Sequence, residues 1–211
     1  FLSRSSLHPT TLNQAKKTSQ RYELIDNFVS DAADFREKNE ASSQLDIEYG
    51  PEARNKLDIF WPEKTRECPI VMFIHGGYWQ HHSKNDSFFG ADWFVEHGIA
   101  YAAVDYTLAP NASLTEIVAE CRAALATLFD EAEILKVDPA QIYVAGSSAG
   151  AQLAAMCCCK VDPKYQPAGA ILLSGIFELE PFVSITDNEV VGMDIAEAQA
   201  NSPLSLVTRR F

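Results

Sequence analysis

No apolar run in this sequence approaches the ~18 residues that a membrane-spanning helix needs. The longest apolar stretches are strand-length, such as Ile70 to Ile74. Basic residues are in short supply, 17 against 29 acidic ones, which leaves a formal net charge of −12. That balance argues against nucleic acid and anionic membranes as partners, because both are polyanions. Cysteine offers no disulfide framework: the five (Cys68, Cys121, Cys157, Cys158, Cys159) are odd in number and irregularly spaced. Consecutive helical positions point ~100° apart, so the 157–159 run cannot converge on one metal, and buried apolar packing is the expected role. A signal-peptide pattern is missing too, since the first 40 residues are polar and mixed in charge. Histidine occurs five times, at 8, 75, 81, 82 and 97, and never later.

What is present fits a folded domain. Apolar residues make up 47% of the 211, enough for one sizeable core and too many for a disordered chain. We expect a single domain over residues 1–211, located in the cytoplasm. Residues 1–44 read as a helical N-terminal extension with Leu12, Tyr22, Leu24, Ile25, Phe28 and Phe35 as its apolar contacts. Residues 45–49 and 56–60 alternate apolar and polar, as half-buried antiparallel strands do, with Gly50-Pro51 near the turn. Continuous apolar strands then follow at 70–74, 99–104, 142–145 and 170–173. Between them lie a helix expected over 84–97, capped by Gly98, a helix opened by the Ser113/Glu116 capping box, and a small-residue helix over 149–159. Ile117, Val118, Cys121, Leu125 and Leu128 mark the buried face of the second. Apolar strands alternating with amphipathic helices specify an α/β fold, a mostly parallel sheet covered on both faces. The run at 169–173 has the composition of an interior strand. Residues 178–203 are acidic and turn-rich, and they read as an excursion above the sheet.

Gly146-Ser147-Ser148-Ala149-Gly150 matches G-x-S-x-G. The pattern has force because it directly follows a buried strand and directly opens a helix. Only small residues at 146 and 150 let strand and helix approach closely enough to lift the central serine clear of the backbone. Ser148 is therefore the candidate nucleophile, and the helix N-terminus beneath it favours a developing oxyanion. Ser147 holds the variable position and is expected to be packed.

His75-Gly76-Gly77 ends an earlier strand, where this architecture places the other half of an oxyanion hole. The expected donors are the amides of Gly76 or Gly77, with Tyr78 as a further candidate, together with Ala149. Tyr78 and Trp79 are candidates for substrate contact, with a core role equally open for Trp79. His75 is expected to brace the loop, and Asp105 to fix its own loop, because triad partners follow the nucleophile in this fold.

Taken together, His75-Gly76-Gly77-Tyr78-Trp79, Asp105-Tyr106 with Ala109-Pro110, the Gly146–Met156 segment, Leu173-Ser174-Gly175-Ile176-Phe177-Glu178-Leu179-Glu180-Pro181 and Asn201-Ser202-Pro203 resemble the kynurenine formamidase (arylformamidase) family of α/β-hydrolases. The resemblance runs from about residue 45 to 205. It implies a serine hydrolase without cofactor or metal, acting on a small-molecule substrate such as N-formyl-L-kynurenine, with a homodimer left open. It also implies an acid and a histidine after two further strands. No histidine follows Ser148, and Asp187, Glu189 and Asp194 fall in the excursion. The expectation from this is a truncated, inactive fragment, with its C-terminal strands missing. A carboxylesterase on short esters and a non-catalytic binding protein on a hydrolase scaffold are the alternatives.

Overall fold

The computed structural model describes residues 34–63, 67–88 and 90–207. Of the apolar contacts expected in the N-terminal extension, Leu12, Tyr22, Leu24, Ile25 and Phe28 lie outside the described residues. Phe35 lies within them, on a helical turn at 34–38.

Among the described residues six strands form one sheet: β1 (Ser43–Glu48), β2 (Lys56–Phe60), β3 (Cys68–Ile74), β4 (Ala100–Val104), β5 (Val137–Ser147) and β6 (Gly169–Leu173), in the order β1-β2-β4-β3-β5-β6. The β1–β2 and β2–β4 pairs are antiparallel, while β4, β3, β5 and β6 run parallel. This is the mixed, mostly parallel sheet with helices on both faces that defines an α/β-hydrolase.

Strand periodicity divides the core in two. Ile70, Met72, Ile74, Ala102, Val104, Ile142 and Val144 face the helices Leu114–Asp130 and Ala149–Met156. The alternate residues Val71, Phe73, Tyr101, Ala103 and Ala145 face the other way, towards Phe88, Ala91 and Phe35. There Phe35, Phe60 and Phe88 form an aromatic cluster with ring centroids 4.9–5.5 Å apart. Because both faces are covered, the central strands are apolar at nearly every position. The helix Leu114–Asp130 begins at Ser113 with the expected capping box to Glu116, and Ile117, Val118, Cys121, Leu125 and Leu128 are all buried on it.

One element differs from expectation. Residues 84–97 are not one helix: a 3-10 turn at Lys84–Asp86, capped by Ser83, is separated from the helix Ala91–Glu96 by Gly90, whose φ of +74° interrupts the helical path. As expected for this chain, β6 sits at the sheet edge among the described residues, with Ile171, Leu172 and Leu173 exposed by 43%, 38% and 44%. Its composition reports apolar character on both faces. Among the described residues it has a strand neighbour on the β5 side alone.

At the other edge, β1 carries a bulge between Gln44 and Ile47. Asp46 adopts φ +56° there, and its N–H donates to Asp58 Oδ1 at 2.8 Å rather than to a strand partner. Asp58 is fully buried and is also paired with Lys84 (2.7 Å) and Arg36 (3.4 Å). Lys84 reaches Asp46 as well, at 3.0 Å.

Candidate active site

Ser148 occupies the single residue between the end of β5 and the helix Ala149–Met156, and it is half-buried. Its backbone sits at φ 56°, ψ −121°, a conformation that L-residues adopt only under constraint. The constraint comes from close packing on both sides. A Cβ at Gly146 would lie 2.2 Å from the Gly150 carbonyl oxygen, and one at Gly150 would lie 2.1 Å from that of Ile74. Neither glycine tolerates a side chain, as the motif requires. The Ser148 N–H donates to the Leu173 carbonyl at 2.8 Å, which ties the elbow to β6. Ser147, the variable residue, is the last of β5 and pairs with Leu173.

The 75–79 loop lies directly against this elbow. A Cβ on Gly76 would come within 3.2 Å of Ser148 Cβ and 2.7 Å of the Ser147 carbonyl oxygen. Gly77, Tyr78 and Trp79 then take φ values of +104°, +51° and +60° in succession. The loop's orientation is set from behind. His75 is buried and stacked on Tyr106 (centroids 4.2 Å, planes 11° apart). His75 Nδ1 donates to the Gly76 carbonyl at 2.8 Å, and Tyr106 Oη donates to the His75 carbonyl at 3.1 Å. In a trans peptide the N–H points opposite to the C=O. The amides of Gly76 and Gly77 therefore point away from the His75–Tyr106 brace. Neither donates to another described residue, and Ala149, first in its helix, has no helical acceptor. Burial pushes the Tyr106 phenol well above its ordinary range, so it stays an O–H donor.

The brace is itself anchored. His75 Nε2 lies 3.3 Å from Asp105 Oδ1, and the Arg54 guanidinium pairs with the same oxygen at 2.6 Å. Arg54 also donates to the Tyr106 carbonyl (2.8 Å) and the His82 carbonyl (2.7 Å), and Tyr49 Oη donates to the Asp105 carbonyl. His75 and Asp105 thus hold structural positions, as the chain-order argument expected.

The excursion at 178–203 forms short helical turns, Glu180–Ser184, Asn188–Val191 and Ile195–Ala200. It packs on the same loop. Phe182 stacks on Tyr78 (5.9 Å) and meets Trp79 edge-on (5.1 Å), while Gln80 Nε2 donates to the Asp187 carbonyl at 2.8 Å. Tyr78 remains 40% exposed beside Gly77 and is available to a ligand. Trp79 is not: it is fully buried, and its indole N–H donates to Gln152 Oε1 at 3.1 Å. The expectation that Trp79 touches substrate gives way to a core role, because a ring with no accessible surface offers nothing to a ligand. Among the downstream acids, Asp194 caps the helix Ile195–Ala200 by accepting from the Glu197 N–H at 2.8 Å.

Ser148 and the 76–77 loop are thus brought together, with Ala149 beside them. No histidine among the described residues hydrogen-bonds to Ser148. Nor does any group of three or more His, Cys, Asp or Glu there have the arrangement to hold a metal ion. No described helix is long and apolar enough to cross a membrane. Arg54, Phe182 and Gln152 were not picked out as site residues from the sequence. Gln152 alone left a trace, as the one polar side chain on an otherwise apolar helix.

The BD-FAE family model matches residues 57–174, from β2 through the serine elbow to the end of β6. The chain belongs to the BD-FAE family. Kynurenine formamidase of Salmo salar is 35% identical over 177 residues, covering 82% of this chain and 59% of that protein. The Danio rerio kynurenine formamidase is 34% identical over 175 residues, with 80% and 58% covered. The chain therefore spans about three fifths of the length of these relatives. Among solved structures, a Silicibacter sp. tm1040 protein assigned as a thioesterase superposes with a TM-score of 0.78 at 28% identity, over 88% of this chain and 70% of that one. Thermogutta terrifontis esterase 2 superposes with a TM-score of 0.65 at 23% identity, over 79% and 67%, a likeness of fold. Together with the BD-FAE match, these place the chain among esterase-like α/β-hydrolases.

Proposed function

We propose that this chain carries the nucleophile centre of a serine hydrolase that cleaves an aryl formamide of the N-formyl-L-kynurenine type. The observation that carries the reading is the left-handed Ser148, seated between β5 and its helix with Gly76 packed against it. The similarity to two fish kynurenine formamidases supports the substrate class.

In this reading Ser148 Oγ attacks the formyl carbon and gives its proton to a general base. The carbonyl oxygen becomes an oxyanion that accepts hydrogen bonds from Gly76 or Gly77 and from Ala149. The C–N bond then breaks, and the leaving arylamine takes the proton from the protonated base. Water attacks the formyl-serine, releases formate and restores the Ser148 hydroxyl. Tyr78, supported from below by Phe182, offers an aromatic face for the aryl group. No step calls for a cofactor.

The test uses the full-length gene product. It should release kynurenine and formate from N-formyl-L-kynurenine, and Ser148→Ala should abolish turnover without altering the melting temperature. Rapid cleavage of p-nitrophenyl acetate with no action on the formamide would favour a carboxylesterase. That second reading has its own support, the 32% identity over 117 residues to a rice methylesterase. A protein inert to both substrates would leave the scaffold as a binding module.

A further inference from the structure

Every residue of the helix Ala149–Met156 is buried, and seven of the eight are small or apolar. The exception is Gln152, whose side chain is fully enclosed. A primary amide is costly to bury unless it is hydrogen-bonded. Gln152 meets that requirement by joining two separate elements. Its Oε1 accepts from the Trp79 indole N–H at 3.1 Å, and its Nε2 donates to the Asn201 carbonyl at 2.9 Å. An indole N–H can only donate and a carbonyl can only accept, so the partners fix which way the amide points.

Both partners are well tethered. Trp79 ends the run of three left-handed residues that begins at Gly77, and non-glycine residues there carry about 1–2 kcal/mol of strain each. Such a loop keeps its shape only if its end is held. The Trp79 carbonyl accepts from the Ala109 N–H at 2.8 Å, and its ring is fixed by Phe182 and Gln152. Asn201 is held by Thr115 Oγ1 at 2.9 Å and by the Glu197 carbonyl at 3.0 Å. Gln152 also lies one helical turn after Ser148, on the same helix face.

We infer that Gln152 is a positioning residue. Through the Asn201–Gln152–Trp79 chain it sets the distance between the Gly76–Gly77 amides and Ser148. The inference rests on the serine-hydrolase reading above.

The experiment compares Gln152→Met, near-isosteric but without the amide, Trp79→Phe, a core ring without the N–H, and the double variant, all in the full-length gene product. Readouts are kcat and KM for p-nitrophenyl acetate, the rate of Ser148 phosphonylation by a fluorophosphonate, and the melting temperature. Each single variant should lose about 10–100-fold in kcat and in phosphonylation rate, with KM within about twofold, because misplaced donors weaken the transition state more than ground-state binding. The double variant should be no slower than the slower single, since the bond that Trp79→Phe removes is already lost in Gln152→Met. Gln152→Glu restores the acceptor for Trp79 and should recover part of the rate. Folded single variants with wild-type kcat would overturn the inference, as would losses that multiply in the double variant. If Gln152→Met does not fold, Trp79→Phe decides alone. A wild-type protein inert to both reagents would instead refute the hydrolase reading, so the two failures are distinct.

Discussion

Gly150→Ala is the sharpest probe of how the serine elbow is held. The added Cβ would stand 2.1 Å from the Ile74 carbonyl oxygen and 2.5 Å from that of His75. Both obstacles are backbone, at the end of a strand paired on either side by β4 and β5, so β3 cannot retreat. Because Cβ contacts essentially never fall below 3.0 Å, the helix Ala149–Met156 must lift by about 1 Å. Overpacking of this kind costs about 1–3 kcal/mol, at about 2–4 °C of melting temperature per kcal/mol. The kinetic penalty is larger in relative terms, since a displacement of ~1 Å in positioned groups costs about 100-fold. The assay is phosphonylation of Ser148 by a fluorophosphonate in the full-length gene product, beside a thermal melt. Gly192→Ala is the control: it places alanine at a positive φ (+70°), which strains the backbone, but with nothing within 4 Å and far from Ser148 in sequence. It should lower stability and leave labelling intact. A folded Gly150→Ala protein labelled at the wild-type rate would refute the claim that close helix–strand approach sets the Ser148 geometry.

Lys84→Met leaves the fully buried Asp58 carboxylate without its nearest cation, 2.7 Å away. We expect a loss of about 3–5 kcal/mol in urea unfolding, with most of it recovered when Asp58 is also made apolar. Burial pushes the Cys158 thiol up to about 11 and the Cys157 thiol to about 12. At pH 8 only about one Cys158 in a thousand is thiolate, so in native protein Cys158 should resist an aromatic disulfide reagent that labels it fully in urea, as peptide mapping of the labelled site would show. The raised thiol values also fix a sign: their contribution to stability is complete below the ordinary 9.0 and is lost as pH rises towards about 12, which pH-dependent melts should show.

The central strands were readable because burial on both faces leaves no room for polar residues. Ile70–Ile74 and Ile142–Ala145 are apolar throughout for that reason. The polar start of β5, Asp138 to Gln141, carries no such mark, and the strand looked shorter than it is. Residues 84–97 misled because Phe88, Phe94 and Val95 recur at helical spacing, yet they pack from two separate pieces around the left-handed Gly90. Ser148, Gly76, Gly77 and Ala149 were legible because the elbow and its facing glycines are local motifs. Arg54 and Phe182 were not, because each acts on partners that folding alone brings near: Arg54 on Asp105 and His82, Phe182 on Tyr78 and Trp79. Trp79 was the instructive case, since an aromatic next to a candidate site loop can hold the loop up as easily as it can greet a ligand.

The bulge in β1 bears on how these molecules behave in company. An edge strand is a row of open donors and acceptors, and a second molecule can extend a flat one indefinitely. Here the strand is kinked at Asp46, its N–H is diverted inward to Asp58, and the Lys84 ammonium is drawn against its side chain. An incoming strand would find the repeat broken within six residues and a charge to desolvate beside the break. Crowded solutions of this protein should therefore not polymerise through the β1 margin. Replacing Asp46 with glycine or asparagine would keep the kink and lose the charge, which separates geometry from electrostatics as the guard against stacking.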